Sequence, residues 1–138
     1  MTDKLVQEDY PTVTPYLAVK DAASAIEFYK RAFSARETMR LTETSGRVSH
    51  AEIRIGESPV MISDEYPEID VLSPQSLGGS PVMIVLNVVN VDALFNQAVS
   101  AGATVVRSLQ DSFEGALRTA KVNDPFGHRW LILTRKEP

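Results

Sequence analysis

Hydrophobic and polar positions change period several times along the chain, and each half shows the same order of changes. Val13, Pro15, Leu17 and Val19 fall on alternate positions, the period-two pattern of a strand with one buried face. Pro15 has no backbone N–H to donate, so this strand is expected at an edge or to begin there. Asp21 follows as a helix N-cap. Ala22, Ala25, Ile26, Tyr29, Ala32 and Phe33 then recur at helical spacing as one apolar stripe, with Glu27, Lys30 and Arg31 turned outward. Strand patterns return over about 36–42, 48–55 and 60–63, separated by turns at Ser45-Gly46 and Gly56-Glu57-Ser58-Pro59. Residues 64–80 hold Pro67, Pro74 and Gly78-Gly79 with little period, which predicts the longest loop, a linker or lid. Beyond it, 81–88 reads as a strand and Asn90 as a second N-cap. Val91, Leu94, Phe95 and Ala98 form a second stripe, and Gly102 suits a left-handed helix end. Strands at Thr104-Val105-Val106, 117–122 and 129–134 complete the set, and residues 1–11 read as a loose arm.

The two halves match at one constant offset. Val19 and Val88, Ile26 and Phe95, Ala51 and Ala120, Glu52 and Lys121, and Ile53 and Val122 are each 69 residues apart. A single offset that joins a strand, a helix stripe and a second strand points to internal duplication. The fold class expected is α+β, with two tandem βαβββ modules, one at about 12–64 and the other at about 80–136, in one domain of 138 residues. Each helix would cover the outer face of a curved mixed sheet, and the opposite faces would line a cavity.

Composition narrows the chemistry. Fourteen Lys and Arg against 18 Asp and Glu give a net charge of -4, with no basic stripe, which argues against nucleic acid or an anionic membrane as partner. With no Cys there is no disulfide, thiolate nucleophile or Cys-based metal site. The N-terminus lacks the apolar core of a signal peptide, and no apolar run reaches spanning length, so a soluble cytoplasmic protein is expected.

Alternation sets the candidate site. Ala51, Ile53 and Ile55 are expected under the helix, leaving Val48, His50, Glu52 and Arg54 on the open face. In the second half Leu117, Thr119, Lys121 and Asn123 take that face. His50, Glu52 and Lys121 could bind a polar ring-containing molecule or do acid–base work, since His titrates near neutrality. The ligand-lining reading of His50 is preferred over a structural one, and Glu52 and Lys121 could form an ion pair across the modules. Tyr16 is a further pocket candidate, and Phe113 lies in a loop that could close over a site. Trp130 is either core or cavity wall, and the wall reading is preferred, as a surface on which a planar ligand could stack. His128, beside the tight turn at Gly127, is expected to make a structural hydrogen bond.

Several stretches together resemble the vicinal-oxygen-chelate superfamily, the glyoxalase, bleomycin-resistance and dioxygenase fold, and within it the PhnB-like branch. They are Pro15-Tyr16-Leu17 with Asp21, Ile26-Glu27-Phe28-Tyr29 with Ala32-Phe33, and His50-Ala51-Glu52-Ile53-Arg54-Ile55-Gly56. Ala101-Gly102-Ala103 and Asp124-Pro125-Phe126-Gly127-His128-Arg129-Trp130 complete the set. The resemblance implies the fold more than any one activity, because one fold hosts many functions. In its glyoxalase I members a divalent metal is held by His or Glu. The matching positions here are Thr14, Met61, Met83 and Leu131, which offer no suitable donor set. After Phe113, where resembling proteins often carry Tyr, Gly, Asp and Arg, this chain has Glu114-Gly115-Ala116-Leu117. The expectation is therefore a cofactor-free homodimer that binds or sequesters a small aromatic or polar ring-containing molecule, as in antibiotic resistance. Its ligand-binding residues would be Tyr16, His50, Glu52, Phe113, Thr119, Lys121 and Trp130. The alternative is a glyoxalase-like lyase or isomerase, or a dioxygenase-like enzyme, with a divalent metal or a non-standard site at His50 and Glu52.

Overall fold

The alternating stretches form eight strands in two mixed sheets, and a computed structural model describes residues 10–136. Module one runs β1 (Tyr16–Val19), α1 (Ala22–Phe33), β2 (Arg36–Thr42), β3 (Val48–Ile55) and β4 (Ser58–Asp64). Its sheet has the order β1-β4-β3-β2, with β1 parallel to β4 and the other pairs antiparallel. After a short helix, α2 (Pro74–Leu77), module two repeats the plan with β5 (Met83–Asn87), α3 (Val91–Ala101), β6 (Thr104–Ser112), β7 (Leu117–Asn123) and β8 (Arg129–Arg135). The second sheet, β5-β8-β7-β6, has the same pairing sense. The architecture is the expected α+β pair of βαβββ modules, and neither sheet closes. Most of the arm read at residues 1–11 lies outside the described residues.

Local chemistry starts and stops the helices where the sequence indicates. The Asp21 carboxylate accepts a hydrogen bond from Ser24 N at 3.1 Å, and Asn90 does the same for Ala93 N at 3.1 Å. Each cap satisfies an orphan donor and stabilises its helix by about 1 kcal/mol. Basic Lys30 and Arg31 sit in the last turn of α1, where the helix dipole favours positive charge.

A single core spans both modules. Tyr29 and Phe33 of α1 meet Trp130 of β8, with ring centroids 5.6 and 4.7 Å apart. The helices also touch, through the Gln97 amide, which donates to Arg31 O at 2.9 Å and Ala32 O at 3.1 Å. His128 Nε2 meets Ala18 O at 3.0 Å, the structural bond expected of it, and so ties the last hairpin to β1.

Two expectations need correction. The 64–80 stretch is not a free lid. It contains a 3-10 turn at Pro67–Ile69 as well as α2, and it docks under the hairpin between β7 and β8. There Gln75 Nε2 donates to Pro125 O at 3.3 Å. Val48 is not on the open face but 2% exposed in the core. The β2–β3 register shifts between Leu41 and Thr42, pairing Leu41 with His50 but Thr42 with Val48. Ser49 is thus the extra residue of a bulge, which reverses the alternation before it. Among the described residues no helix is long and apolar enough to cross a membrane.

Candidate functional site

The helices cover one face of each sheet, so the opposite faces are open, and strand register states which side chains share them. In module one, Met39, Glu52, Met61 and Tyr16 form one row across β2, β3, β4 and β1. His50 and Leu41 belong to the next row. In module two, Arg107, Lys121, Leu131 and Val85 form the equivalent row across β6, β7, β8 and β5. Gln110, Thr119 and Leu133 flank it on one side, and Asn123, Arg129 and Met83 on the other.

On the first face Tyr16 Oη and His50 Nδ1 share a hydrogen bond of 2.7 Å. Partial burial of the half-exposed Tyr16 raises its phenol above the ordinary pKa, so it stays neutral and can donate or accept. Glu52 is 4% exposed, and its Oε2 accepts from Tyr10 Oη at 2.7 Å. The carboxylate in turn raises the Tyr10 pKa, chiefly through that bond. Tyr10 belongs to the stretch that reads as a loose arm, and no periodicity marks it as a site residue. On the second face Thr119 is buried at 3% exposure, accepting from Arg107 Nη2 and lying 3.1 Å from Ser112 Oγ. No ion pair joins Glu52 and Lys121 among the described residues.

The candidates therefore divide. Tyr16, His50 and Glu52 gather on one face, and Thr119 and Lys121 on the other. Phe113 stands on the turn after β6, 75% exposed and with φ of 56°. Trp130 is buried in the core at 0% exposure, and it also contributes to the wall of the cleft beside Ile84 and Leu86. Its parity on β8 matches Ile132, on the helix side, and its indole N–H donates to Asp124 Oδ2 at 2.9 Å. A cleft of about 480 Å³ runs between the edges of β1 and β5, lined by Tyr16, Leu17, Met83, Val85 and His128. A second, of about 510 Å³, lies between Pro15, Val60, Ile84 and Leu86 and is mainly apolar, with Ser58 and Asn87 also on its lining.

The motif around Trp130 has a structural centre that pattern reading did not single out. Asp124 is 4% exposed and accepts four hydrogen bonds: Oδ2 from Tyr29 Oη at 2.5 Å and from the Trp130 indole, Oδ1 from Phe126 N at 2.9 Å and His128 N at 3.0 Å. Burial, then the Asp124 charge, pushes the Tyr29 hydroxyl well above its ordinary pKa, so it remains a donor.

The metal positions of the fold can be tested on the same registers. Met61 pairs with Glu52 and Leu131 with Lys121, so the two slots are structurally equivalent, and Met83 lies two residues before Val85 on β5. Thr14 precedes β1. Two thioethers, a hydroxyl and an alkyl group do not fit a zinc- or nickel-type centre, which needs three or four N, O or thiolate donors. Among the described residues no three His, Asp or Glu side chains converge to replace them.

Comparison with known proteins agrees with the architecture. The uncharacterized protein Mb0911c of Mycobacterium bovis is 47% identical over 125 residues, covering 88% of this chain and 82% of the relative. The crystal structure of TioX from Micromonospora sp. ML1 superposes with a TM-score of 0.71 at 27% identity, covering 91% of this chain and 99% of that one. A PhnB protein from Bacillus cereus superposes at 0.69 with 16% identity, over 90% of this chain and 99% of that one, a likeness of fold alone. The model of the glyoxalase/bleomycin resistance protein/dioxygenase superfamily matches residues 10–132, and the chain belongs to that superfamily.

Proposed function

We propose that the protein binds a small, ring-containing polar molecule without a metal, as a homodimer in which a second copy covers the open sheet faces. The observation that carries this reading is the substitution at the fold's metal positions: Met61 stands beside Tyr16, His50 and Glu52 on the first face, and Met83 and Leu131 beside Thr119 and Lys121 on the second. A thioether and alkyl floor rimmed by hydrogen-bonding groups suits an apolar ring with polar substituents. Exposed Tyr16, Met39, Leu41, Met83 and Val85 add apolar surface that a second copy could bury. Membership of a superfamily that includes bleomycin resistance proteins supports sequestration, and thus antibiotic resistance, as the role.

The test loads the purified chain with zinc, nickel, iron or manganese, measures bound metal, and records sedimentation of the same samples. Substoichiometric metal and a dimer are expected. Stoichiometric metal accompanied by turnover overturns the reading, and a monomer at all concentrations removes its dimeric part.

One observation favours a second reading, catalysis. The Tyr16–His50 hydrogen bond couples a phenol to an imidazole, a pair able to move a proton. If that pair is catalytic, His50→Ala abolishes turnover of a glyoxalase-type substrate while the circular dichroism spectrum is kept. Turnover equal to that of the unaltered chain eliminates it.

A further inference from the structure

The open face of the second sheet is charged in one sense only. Arg107, Lys121 and Arg129 all project from it, on adjacent rows set by the pairs Arg107–Lys121 and Asn123–Arg129. No Asp or Glu shares these rows. The nearby carboxylates are engaged elsewhere: Asp92 pairs with Arg118 at 2.8 Å on the helix side, and Asp111 with Lys136 at 2.8 Å. Asp124 is committed to its four donors in the core. In a chain of net charge -4, three cations on adjacent rows with no carboxylate paired to them among the described residues is a local reversal of sign.

Arg107 is built into that face. The β6–β7 register shifts on both sides of it, between Val105 and Arg107 and again between Arg107 and Gln110. Such irregularities re-aim side chains and recur beside functional sites. Its Nη2 is held by Thr119 Oγ1, while its Nε is buried and has no hydrogen-bond partner among the described residues. A buried guanidinium N–H without an acceptor is destabilising, and a ligand oxygen reaching it would relieve that cost. Lys121, its cross-strand partner, forms no ion pair among the described residues and could approach the same oxygen group.

From this we infer that the second open face binds an oxyanion, carboxylate or phosphate, carried by the small ring-containing ligand, with Arg107 and Lys121 as its paired donors. The inference deepens the binding reading above and rests on it. It also separates the two modules. At the position equivalent to Lys121, module one has Glu52, so the duplicated sites have opposite charge and would hold opposite ends of one ligand.

The experiment titrates the full chain with naphthoate, naphthyl phosphate and the neutral isostere naphthamide, by calorimetry at low and high salt. Lys121→Met, Arg107→Met and, as a charge control, Lys20→Gln are titrated alongside, with circular dichroism as the check on folding. Both oxyanions are expected to bind about tenfold or more tightly than naphthamide, with the preference falling as salt rises. Lys121→Met and Arg107→Met should each weaken the anions by about tenfold and weaken naphthamide by much less, while Lys20→Gln changes none of them. Whichever anion binds more tightly identifies the oxyanion class. If naphthamide binds as tightly as the anions, the anion inference falls while the cavity reading stands. Anion binding that both Met variants leave intact overturns this placement. Failure of all three probes to bind overturns the inference together with the reading it rests on.

Discussion

Replacing Asp124 by Asn isolates the carboxylate that organises the last hairpin. The change is nearly isosteric, and Oδ1 can keep its bonds to Phe126 N and His128 N. At the Oδ2 position an NH₂ now faces two donors, the Tyr29 hydroxyl and the Trp130 indole N–H. Tyrosine can rotate its proton away and accept, but an indole can only donate and is left buried against another donor. Bonds to a charged acceptor contribute about 1.5–3 kcal/mol each. Two are lost and one is partly recovered, so a destabilisation of about 3–4 kcal/mol is expected. At about 2.1 cal/mol/K per residue, a chain of 138 residues would melt about 10–14 °C lower. Trp130 is the only tryptophan, so its fluorescence reports denaturant unfolding from within the perturbed cluster. Tyr29→Phe and the double variant complete a cycle, and the coupling between Tyr29 and Asp124 should exceed about 1 kcal/mol. A loss below about 1 kcal/mol for Asp124→Asn, or strictly additive single changes, would refute the argument that this carboxylate is the hairpin's centre.

Two further perturbations probe the joints around that hairpin. Gly127 has φ of 96°, and a Cβ there would lie 2.9 Å from Pro74 Cβ. Gly127→Ala should therefore cost about 2 kcal/mol or more from left-handed strain and the clash together, and a denaturation midpoint equal to that of the unaltered chain contradicts the packing of α2 under the turn. Glu65 accepts from Ser73 N at 2.7 Å and Ser76 Oγ at 2.6 Å. The Ser73 hydroxyl first, then the Ser76 hydroxyl and the Ser73 backbone N–H, lower its pKa from 4.5 to about 2. A depressed folded-state pKa gives stability that is present above pH 4.5 and lost as pH falls toward 2. Glu65→Gln should thus flatten the acid limb of stability across that window, and unfolding curves that fall in parallel for both proteins would exclude the linkage.

Much of the fold is legible because its signals are local and repeated. Asp21 and Asn90 each precede an apolar stripe, and each caps a helix in the structure. The duplication holds in three dimensions, since Glu52 pairs with Met61 just as Lys121 pairs with Leu131, although one extra residue in the second hairpin raises the offset from 69 to 70 at that last pair. What alternation cannot register is a bulge. Counting by two assigns Val48 to the open face, and the single extra residue at Ser49 turns it into the core. The same limit hid Arg107, whose aim depends on two register shifts that leave no mark on hydropathy. Trp130 shows a different limit, since it is core and cleft wall at once. An aromatic residue after a tight turn suits a cavity wall or a core equally well, and the choice depends on a partner 101 residues away in sequence, Tyr29, that meets it only after folding.

Duplication also explains why residues at the fold's metal positions can change without loss of the fold. The helix-side rows, with Ala51, Ile53, Ala120, Val122 and Ile132, are almost completely buried and fix both modules by packing. The open-face rows make few of those contacts, so their residues can change at little cost to the core. That freedom is visible where the two copies match: Met61 against Leu131, Tyr16 against Val85, and Glu52 against Lys121. The first two pairs trade shape and polarity, whereas the third reverses charge. A scaffold repeated twice thus carries two different surfaces, one with phenol, imidazole and carboxylate, the other with guanidinium, ammonium and hydroxyl. A ligand with an acidic end and a hydrogen-bonding ring matches that asymmetry, and a symmetric neutral ligand does not.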